Sequence, residues 1–520
     1  MKEGRRRRLY VVVAAFSLGS ALLAGHLAAE QEGQGQQGKR QPYTWPRGRS
    51  EPRTHSFPLD DTTFVRFPLP ASEKAYAGIE GEKIKGYLKE VVAISLKSKA
   101  DGNKWWGRIA GTQYDHMAEK WVEDKFRALG LQEIRNQPFD LPPQWFTTNW
   151  SLTVTGGGKT IKPESAWPTG GSAGTPAGGL DLEVVWVGLG SEADFMGRNV
   201  KGKAVMIESI MTPRVSDHSA IWNGAITRAQ EKGAAAIIVN LSRFGNWIYQ
   251  AGSNGVTIPH MTVGNEDGKA IREMLEKGGV VRAKMELATE MRPGLKDSNV
   301  WGQLPGATDE DIIVFSHHDG YFQAASDNAS GMAIMIALAE HYSKIPQAQR
   351  RRTLKFVTTS GHHAGSLGVK WMHDNRQTFL AKTALMINAE HASPLALSIW
   401  EGEERLTTGT QPRRWFVHGS PKLAAISLNA YKTFGVSIMH RMEPAASGDM
   451  GQVWRDAPSI MSIVSSDFYH SDRDTPDVMP AASLEQITRA YAKMIDETNK
   501  LDRKDIVAAP ATSTARSGGQ

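Results

Sequence analysis

The chain has no cysteine among its 520 residues. That excludes disulfides, a thiol nucleophile, Cys-ligated zinc, iron–sulfur centres and lipid-modified cysteine. Strong charge of one sign is also missing. Lys plus Arg is 61 against 55 for Asp plus Glu, a formal +6, and the first 29 residues hold five basic side chains and one acidic one, so the body carries only +2. Without a basic footprint, nucleic acid is not an expected partner. Beyond the N-terminus no apolar run approaches the roughly 20 residues that cross a bilayer. His-Glu-x-x-His does not occur. Gly365-Ser366-Leu367-Gly368 lacks the glycine two positions before the serine that a nucleophile elbow needs. Gly156-Gly157-Gly158-Lys159-Thr160 imitates the end of a phosphate loop, but Thr153 stands where its first glycine belongs, so a turn is expected.

What is present begins with Lys2 and Arg5 to Arg8, an apolar run Leu9 to Ala24 and small residues at Ala28 and Ala29. That order reads as a signal peptide over 1–29, giving a secreted or periplasmic protein with no stable membrane span after its removal. Arg6-Arg7-Arg8-Leu9-Tyr10 loosely fits a twin-arginine pattern, and a plain basic n-region explains it equally well. A Gly/Gln/Pro/Arg-rich linker follows over 30–71, and 504–520 reads as a flexible tail. The length, at about 150 residues per domain, leaves room for roughly three units.

Ala118, Trp121, Val122, Phe126 and Leu129 recur at helical spacing before Gly130, predicting an amphipathic helix with a glycine C-cap. Between Leu182 and Leu287, short β-branched runs at 183–187, 204–207 and 235–239 alternate with helical stretches at 225–232 and 267–277, a β-rich α/β module. After Pro293 the units lengthen, with strands at 312–316, 354–358, 384–388 and 460–464 and helices at 331–342 and 484–500. Such alternation predicts an α/β fold with a mostly parallel or mixed sheet covered by helices on both faces. Ligands in these sheets sit beyond the carboxyl ends of the strands. There the sequence places His317-His318-Asp319, His362-His363, Glu390-His391 and Tyr469-His470, with Asp327-Asn328 opening the turn before a helix. Nitrogen and oxygen donors on one rim suit a catalytic metal, and a carboxylate can bridge two. His318, His373 and His391 read as neighbours of the site or surface residues, and the Trp105-Trp106 pair as core.

Ser316-His317-His318-Asp319, Ala325-Ser326-Asp327-Asn328-Ala329-Ser330-Gly331, Asn388-Ala389-Glu390, and Tyr469-His470-Ser471 with Asp474-Thr475-Pro476-Asp477 resemble the successive signatures of the M28 family of dizinc peptidases. The likeness runs from about Glu82 to Lys500. Val200-Lys201-Gly202-Lys203-Ala204-Val205 and Ile258-Pro259 resemble the protease-associated (PA) domain inserted in secreted members. The resemblance divides the body into a peptidase part over 72–155, an inserted PA-like domain over 156–293 and the metal-binding peptidase part over 294–503. It implies two Zn2+ per chain, one held by His317, Asp327 and Glu390, the other by the bridging Asp327 with His363 and His470. It further implies that Asp319 fixes the orientation of His317, that Tyr469 hydrogen-bonds the reaction intermediate, and that the Asp327–Asn328 peptide is cis. Two departures stand out. Adjacent glutamates, the first a general base, are usual where this chain has His362 and His363, and aspartate is usual at Glu390. Neutral imidazole accepts a proton near pH 7, which makes His362 the candidate base. The expected activity is hydrolysis of a peptide or amide bond, aminopeptidase action first. The alternatives are an amidohydrolase or carboxypeptidase acting on non-standard amides, and an inactive binding protein that keeps the fold.

Overall fold

The computed structural model describes residues 66–210, 218–243, 245–400 and 403–508. All lie in one of the two units of the chain, Leu59–Gln520; the other, Met1–Pro58, is outside the described residues. So are the expected signal peptide, most of the linker and most of the tail.

Helix α1 (Gly81–Ala100) and helix α2 (Gln113–Ala128) come first. Gly130 follows α2 at φ +75°, the left-handed C-cap expected of a glycine there. Strand β1 (Gln132–Asp140) leads into β2 (Gln144–Gly156), β3 (Lys159–Ile161), β4 (Trp167–Pro168), β5 (Leu180–Trp186), β6 (Ala204–Ser209), helix α3 (Ala225–Glu231), β7 (Ala236–Leu241), β8 (His260–Gly264), helix α4 (Asn265–Glu276) and β9 (Arg282–Arg292). The remainder is β10 (Lys296–Leu304), β11 (Asp311–His317), helix α5 (Ser330–Ser343), β12 (Thr353–Thr359), helix α6 (Leu367–Asp374), β13 (Thr383–Ala389), β14 (Arg414–His418), helix α7 (Pro421–Thr433), β15 (Ser459–Ile463) and helix α8 (Ala481–Asn499). The phosphate-loop lookalike is the tight turn between β2 and β3.

Two large mixed sheets result. One runs β14-β15-β13-β11-β12-β10-β1, with the central four strands parallel and the outer three antiparallel. The other runs β3-β2-β9-β5-β6-β7-β8-β4, again with four parallel strands, β5 to β8. Period-two alternation splits each parallel core between two faces. Ile312, Val314, Leu385 and Ile387 pack with α1, α2, α5, α7 and α8, while Ile313, Phe315, Val357 and Met386 pack with Val369 and Met372 of α6 and with Trp454. In the second sheet Val205, Ile207, Ile237 and Val239 face one cluster, and Ala204, Met206, Ala236 and Ile238 face the other. Burying each large aliphatic side chain contributes about 1.5–3 kcal/mol, so these central strands are the most strongly held part of the chain. Trp105 and Trp106 belong with Phe146, Trp167 and Phe322 to an aromatic cluster joining the two sheets, in which the Trp105 and Trp167 rings stack at 5.6 Å.

Candidate metal centre

Parallel pairing aligns His317 with Thr359, bringing the ends of β11 and β12 to one edge. Beyond β11 the chain loops back to Asp327, whose peptide bond to Asn328 is cis, and enters α5. The turn is fixed by side chains. Asp474 accepts the backbone N–H of Ser326 (2.7 Å) and Asp327 (3.1 Å), and Asn328 accepts those of Gly331 (3.0 Å) and His391 (3.2 Å). Burial, with help from the nearby Asp327 charge, pushes Asp474 up to about 7. Gly331 is required because a Cβ there would lie 2.1 Å from the Ala389 carbonyl oxygen. Two buried arginines hold the neighbouring loops by their carbonyls. Arg108 donates to His318 O (2.8 Å) and Gln323 O (3.1 Å), and Arg413 to His391 O (2.5 Å) and Glu390 O (3.0 Å).

Asp327 lies at the centre. Its Oδ1 faces His391 Nε2 (2.9 Å) and His317 Nε2 (3.2 Å); its Oδ2 faces His470 Nε2 (3.1 Å) and His363 Nε2 (3.3 Å). For three of these rings the other nitrogen is already committed. His317 Nδ1 donates to the Asp319 carbonyl (3.1 Å), His363 Nδ1 to Asp319 Oδ2 (2.9 Å) and His391 Nδ1 to the Val464 carbonyl (3.0 Å). Their Nε2 atoms therefore point at a carboxylate, an arrangement that needs either a proton on the ring or a metal cation between the two. His317 Nε2 is buried without a hydrogen bond, as such a ligand atom would be. The residues thus fit two divalent cations sharing Asp327. The charges agree. Burial opposes ionisation of Asp327, but His391 and His363 hold it well below the usual carboxylate range. Burial likewise opposes protonation of His363, yet Asp319 and Asp327 bring it up to about 9, whereas burial takes His470 down to about 4.

His317, Asp327, His363 and His470 are thus gathered on the rim. Glu390 is beside them, one oxygen 2.5 Å from Asn388 Nδ2 and the other 3.8 Å from His391 Nε2. Three placements bear on the sequence expectation. His391 is a neighbour of the site rather than a surface residue: it is buried and makes a short contact to Asp327, in a left-handed conformation (φ +43°) that turns the ring inward. The Asp319 carboxylate serves His363 more closely than His317, from which its Oδ1 is 3.4 Å away, and it also accepts the N–H groups of His362 (3.1 Å) and His363 (3.0 Å). The spatial reason is that the 362–363 turn folds back over the β11 end. His318, finally, is fully buried on another side of the strand.

His362 stacks on His317 at 4.0 Å, and its Nδ1 is 2.6 Å from Asp449 Oδ1. Asp449 sits in a motif-free stretch, and no sequence signal marked it. The Tyr469 ring stacks on His470 at 3.7 Å. Tyr321, four residues after His317, brings its ring within 4.7 Å of His363 and was also missed. These groups open on a cleft of about 390 Å³ whose far wall includes Trp145 of β2, the loop residues Gly170 and Gln250, and Trp105, which is therefore wall as well as core. The Gln250 N–H donates to the His470 carbonyl (2.8 Å), so the loop between β7 and β8 also holds a rim residue.

An α/β sheet with a histidine- and carboxylate-lined rim at the ends of its parallel strands defines a metallohydrolase-type site. Residues 299–495 match the model of Peptidase family M28. That stretch carries the rim residues from His317 to His470, so the likeness to the family rests on the metal-binding part of the chain. It is similar to Aminopeptidase YwaD of Bacillus subtilis (strain 168), 25% identical over 422 residues, 79% of this chain and 84% of that one. Among solved structures, a Peptidase M28 precursor from Shewanella amazonensis SB2B aligns with a TM-score of 0.66 at 21% identity, covering 85% of this chain and 99% of the other. A zinc aminopeptidase from Bacillus subtilis aligns at 0.59 and 19%, again over 85% and 99%. These two similarities establish the shared mixed α/β fold.

Proposed function

We propose that the chain is an exported dizinc aminopeptidase. The observation that carries this reading is Asp327, each of whose oxygens faces two imidazole nitrogens at the mouth of the cleft. His317 and His391, with Glu390 beside them, would hold one cation, and His363 and His470 the other, with Asp327 common to both. The bound pair supplies Lewis acidity toward the scissile carbonyl and makes water a stronger nucleophile. His362 Nε2 takes the proton of the attacking water. Asp449 accepts from Nδ1–H, fixing the tautomer that leaves Nε2 free to act, and stabilises the imidazolium that forms. His362 then returns the proton to the departing amine nitrogen. Tyr469 and Tyr321 border the cleft where negative charge develops on the carbonyl oxygen, and a phenol O–H there can donate to it. The block 156–293, read as the PA-type insert, lines one side of the cleft through Gly170 and Gln250 and restricts water and large substrates. The similarity to an aminopeptidase and a zinc aminopeptidase of Bacillus subtilis supports zinc and release of N-terminal residues.

The test is elemental analysis of the purified protein followed by a panel of aminoacyl chromogenic amides, N-acylated controls and dipeptides, with and without chelator. Chelator-sensitive hydrolysis confined to free amino termini is expected. Hydrolysis of N-acylated amides at equal rates would overturn the aminopeptidase assignment, and activity untouched by complete metal removal would overturn the metal role.

A further inference from the structure

A second cluster of ligand-type side chains lies behind the rim and takes no part in the proposed reaction. Asp115 and Glu119 project one turn apart from α2, Asp297 comes from β10, and His318 follows the end of β11. One ligand atom from each lies within 4.8 Å of the others, and all four residues are buried. Strand pleating separates this group from the rim, because neighbours His317 and His318 face opposite ways.

Two atoms of the cluster have no hydrogen bond, His318 Nε2 and Asp115 Oδ1, although both side chains are fully buried and the atoms are 3.4 Å apart. Glu119 Oε1 and Asp297 Oδ1 are 3.9 Å and 3.8 Å from the same nitrogen. Donors bound to one ion at roughly 2.0–2.2 Å in a tetrahedron stand roughly 3.3–3.6 Å apart, close to this spacing. The surroundings orient each group. Thr358 Oγ1 is 2.9 Å from His318 Nδ1, which, donating there, leaves a lone pair on Nε2 aimed into the cluster. Ser360 Oγ bridges Asp115 Oδ2 (3.0 Å) and Asp297 Oδ2 (2.5 Å), Gly111 N–H donates to Asp115 Oδ2 (3.1 Å) and Ser298 N–H to Asp297 Oδ1 (2.9 Å). The nearest buried cation, Arg108, spends its donors on carbonyls and on Ser95 Oγ, not on these carboxylates. Three carboxylates packed together out of water need a proton or a cation.

We propose that Asp115, Glu119, Asp297 and His318 bind a third divalent cation, distinct from the rim pair. Three carboxylate oxygens with one imidazole favour a first-row ion such as Zn2+ or Mn2+ over Ca2+, which takes all-oxygen shells. The ion ties α2 and β10 to the strand end that carries His317 and Asp319, and so acts as a structural pin. Glu119, next to the half-exposed His116 (3.3 Å), is the ligand nearest solvent and marks the route of entry. The rival occupant is a proton. Burial and the neighbouring Asp297 push the Asp115 carboxyl well above the ordinary range, the direction that favours this rival.

Anomalous diffraction from crystals of the full-length protein grown with added Zn2+ or Mn2+ decides between the two. A peak within bonding distance of His318 Nε2 and Asp115 Oδ1 is the expected result. An empty cluster in both metals overturns the proposal, whatever the rim holds. Elemental analysis of the conservative Asp297→Asn variant gives a second reading, with loss of one metal equivalent expected while aminoacyl-amide hydrolysis persists. An unchanged metal count overturns the site. Because the rim is read separately at Asp327, a failure here is distinguishable from a failure of the aminopeptidase reading.

Discussion

The two sheets share a design and differ in what they do with buried histidine. Each has four parallel strands between two apolar faces. In the region of the second sheet His218 and, on β8, His260 are fully buried with no carboxylate partner among the described residues, and burial pushes both down to about 3. On the rim of the first sheet His363 is also buried, yet Asp319 and Asp327 bring it up to about 9. The same residue type under the same desolvation moves in opposite directions. What differs is a pair of carboxylates: His363 lies between Asp319 (2.9 Å) and Asp327 (3.3 Å), whereas His470, which faces Asp327 alone at 3.1 Å, is still taken down to about 4, so two carboxylates converging on one ring are what outweigh burial.

Removing the carboxylate at the centre breaks the contrast most severely. Asp327→Ala is expected to empty both rim positions and to lower kcat on the order of 10⁴ or more, since several kcal/mol of transition-state stabilisation depart with the cations. Elemental analysis that still found both rim metals would refute the bridge. His362→Ala should retain both metals and lose on the order of 10² to 10⁴ in kcat, the size of a general-base contribution. Near wild-type turnover with metals in place would make His362 a bystander. Asp449→Asn acts only through His362 and should cost on the order of 10 to 10². Added to His362→Ala, it should cost nothing further. A double variant markedly slower than His362→Ala would give Asp449 a separate role.

Seven of the eight parallel strands were legible because unbroken β-branched runs bounded by turns have few other readings; Ile312 to Ser316 lies inside the observed Asp311–His317, whereas His260–Gly264, with few β-branched residues, was not marked. The antiparallel flank was not. Gln132–Asp140 is an edge strand with hardly a buried side chain, so its sequence carries the polar composition of a loop. Family signatures pointed to His317, Asp327, His363 and His470, which the fold gathers on one rim, since residues adjoining strand ends keep fixed local spacing. The contact of His391 with Asp327 was hidden by its neighbour, as Glu390 already filled the position the signature marks. Asp449, and the meeting of Asp115 with Asp297, depend on chain segments far apart in sequence, and no local spacing encodes them.

The smallest effect sharpens the comparison from the other side, through acid stability of the second sheet. His218 has one ring nitrogen near Ser209 Oγ (2.8 Å) and the other without a hydrogen bond, and neither ring nitrogen of His260 has one among the described residues. Their folded values of about 3 lie below the unfolded value of about 6.5, so in acid the unfolded chain binds more protons. Stability is therefore full above about pH 6.5 and falls progressively as the pH drops toward the folded values. At pH 5.5 each histidine should cost about 1.4 kcal/mol relative to pH 8. Replacing one by a neutral group of similar shape, as in His260→Gln, should reduce the acid loss by that amount even if overall stability changes. Denaturant unfolding followed at pH 8 and pH 5.5, reported by tryptophan fluorescence, reads the difference directly. An unchanged pH slope in His260→Gln would show that this ring is protonated, or reached by water, in the folded state, and the contrast between the two sheets would then rest on His218 alone.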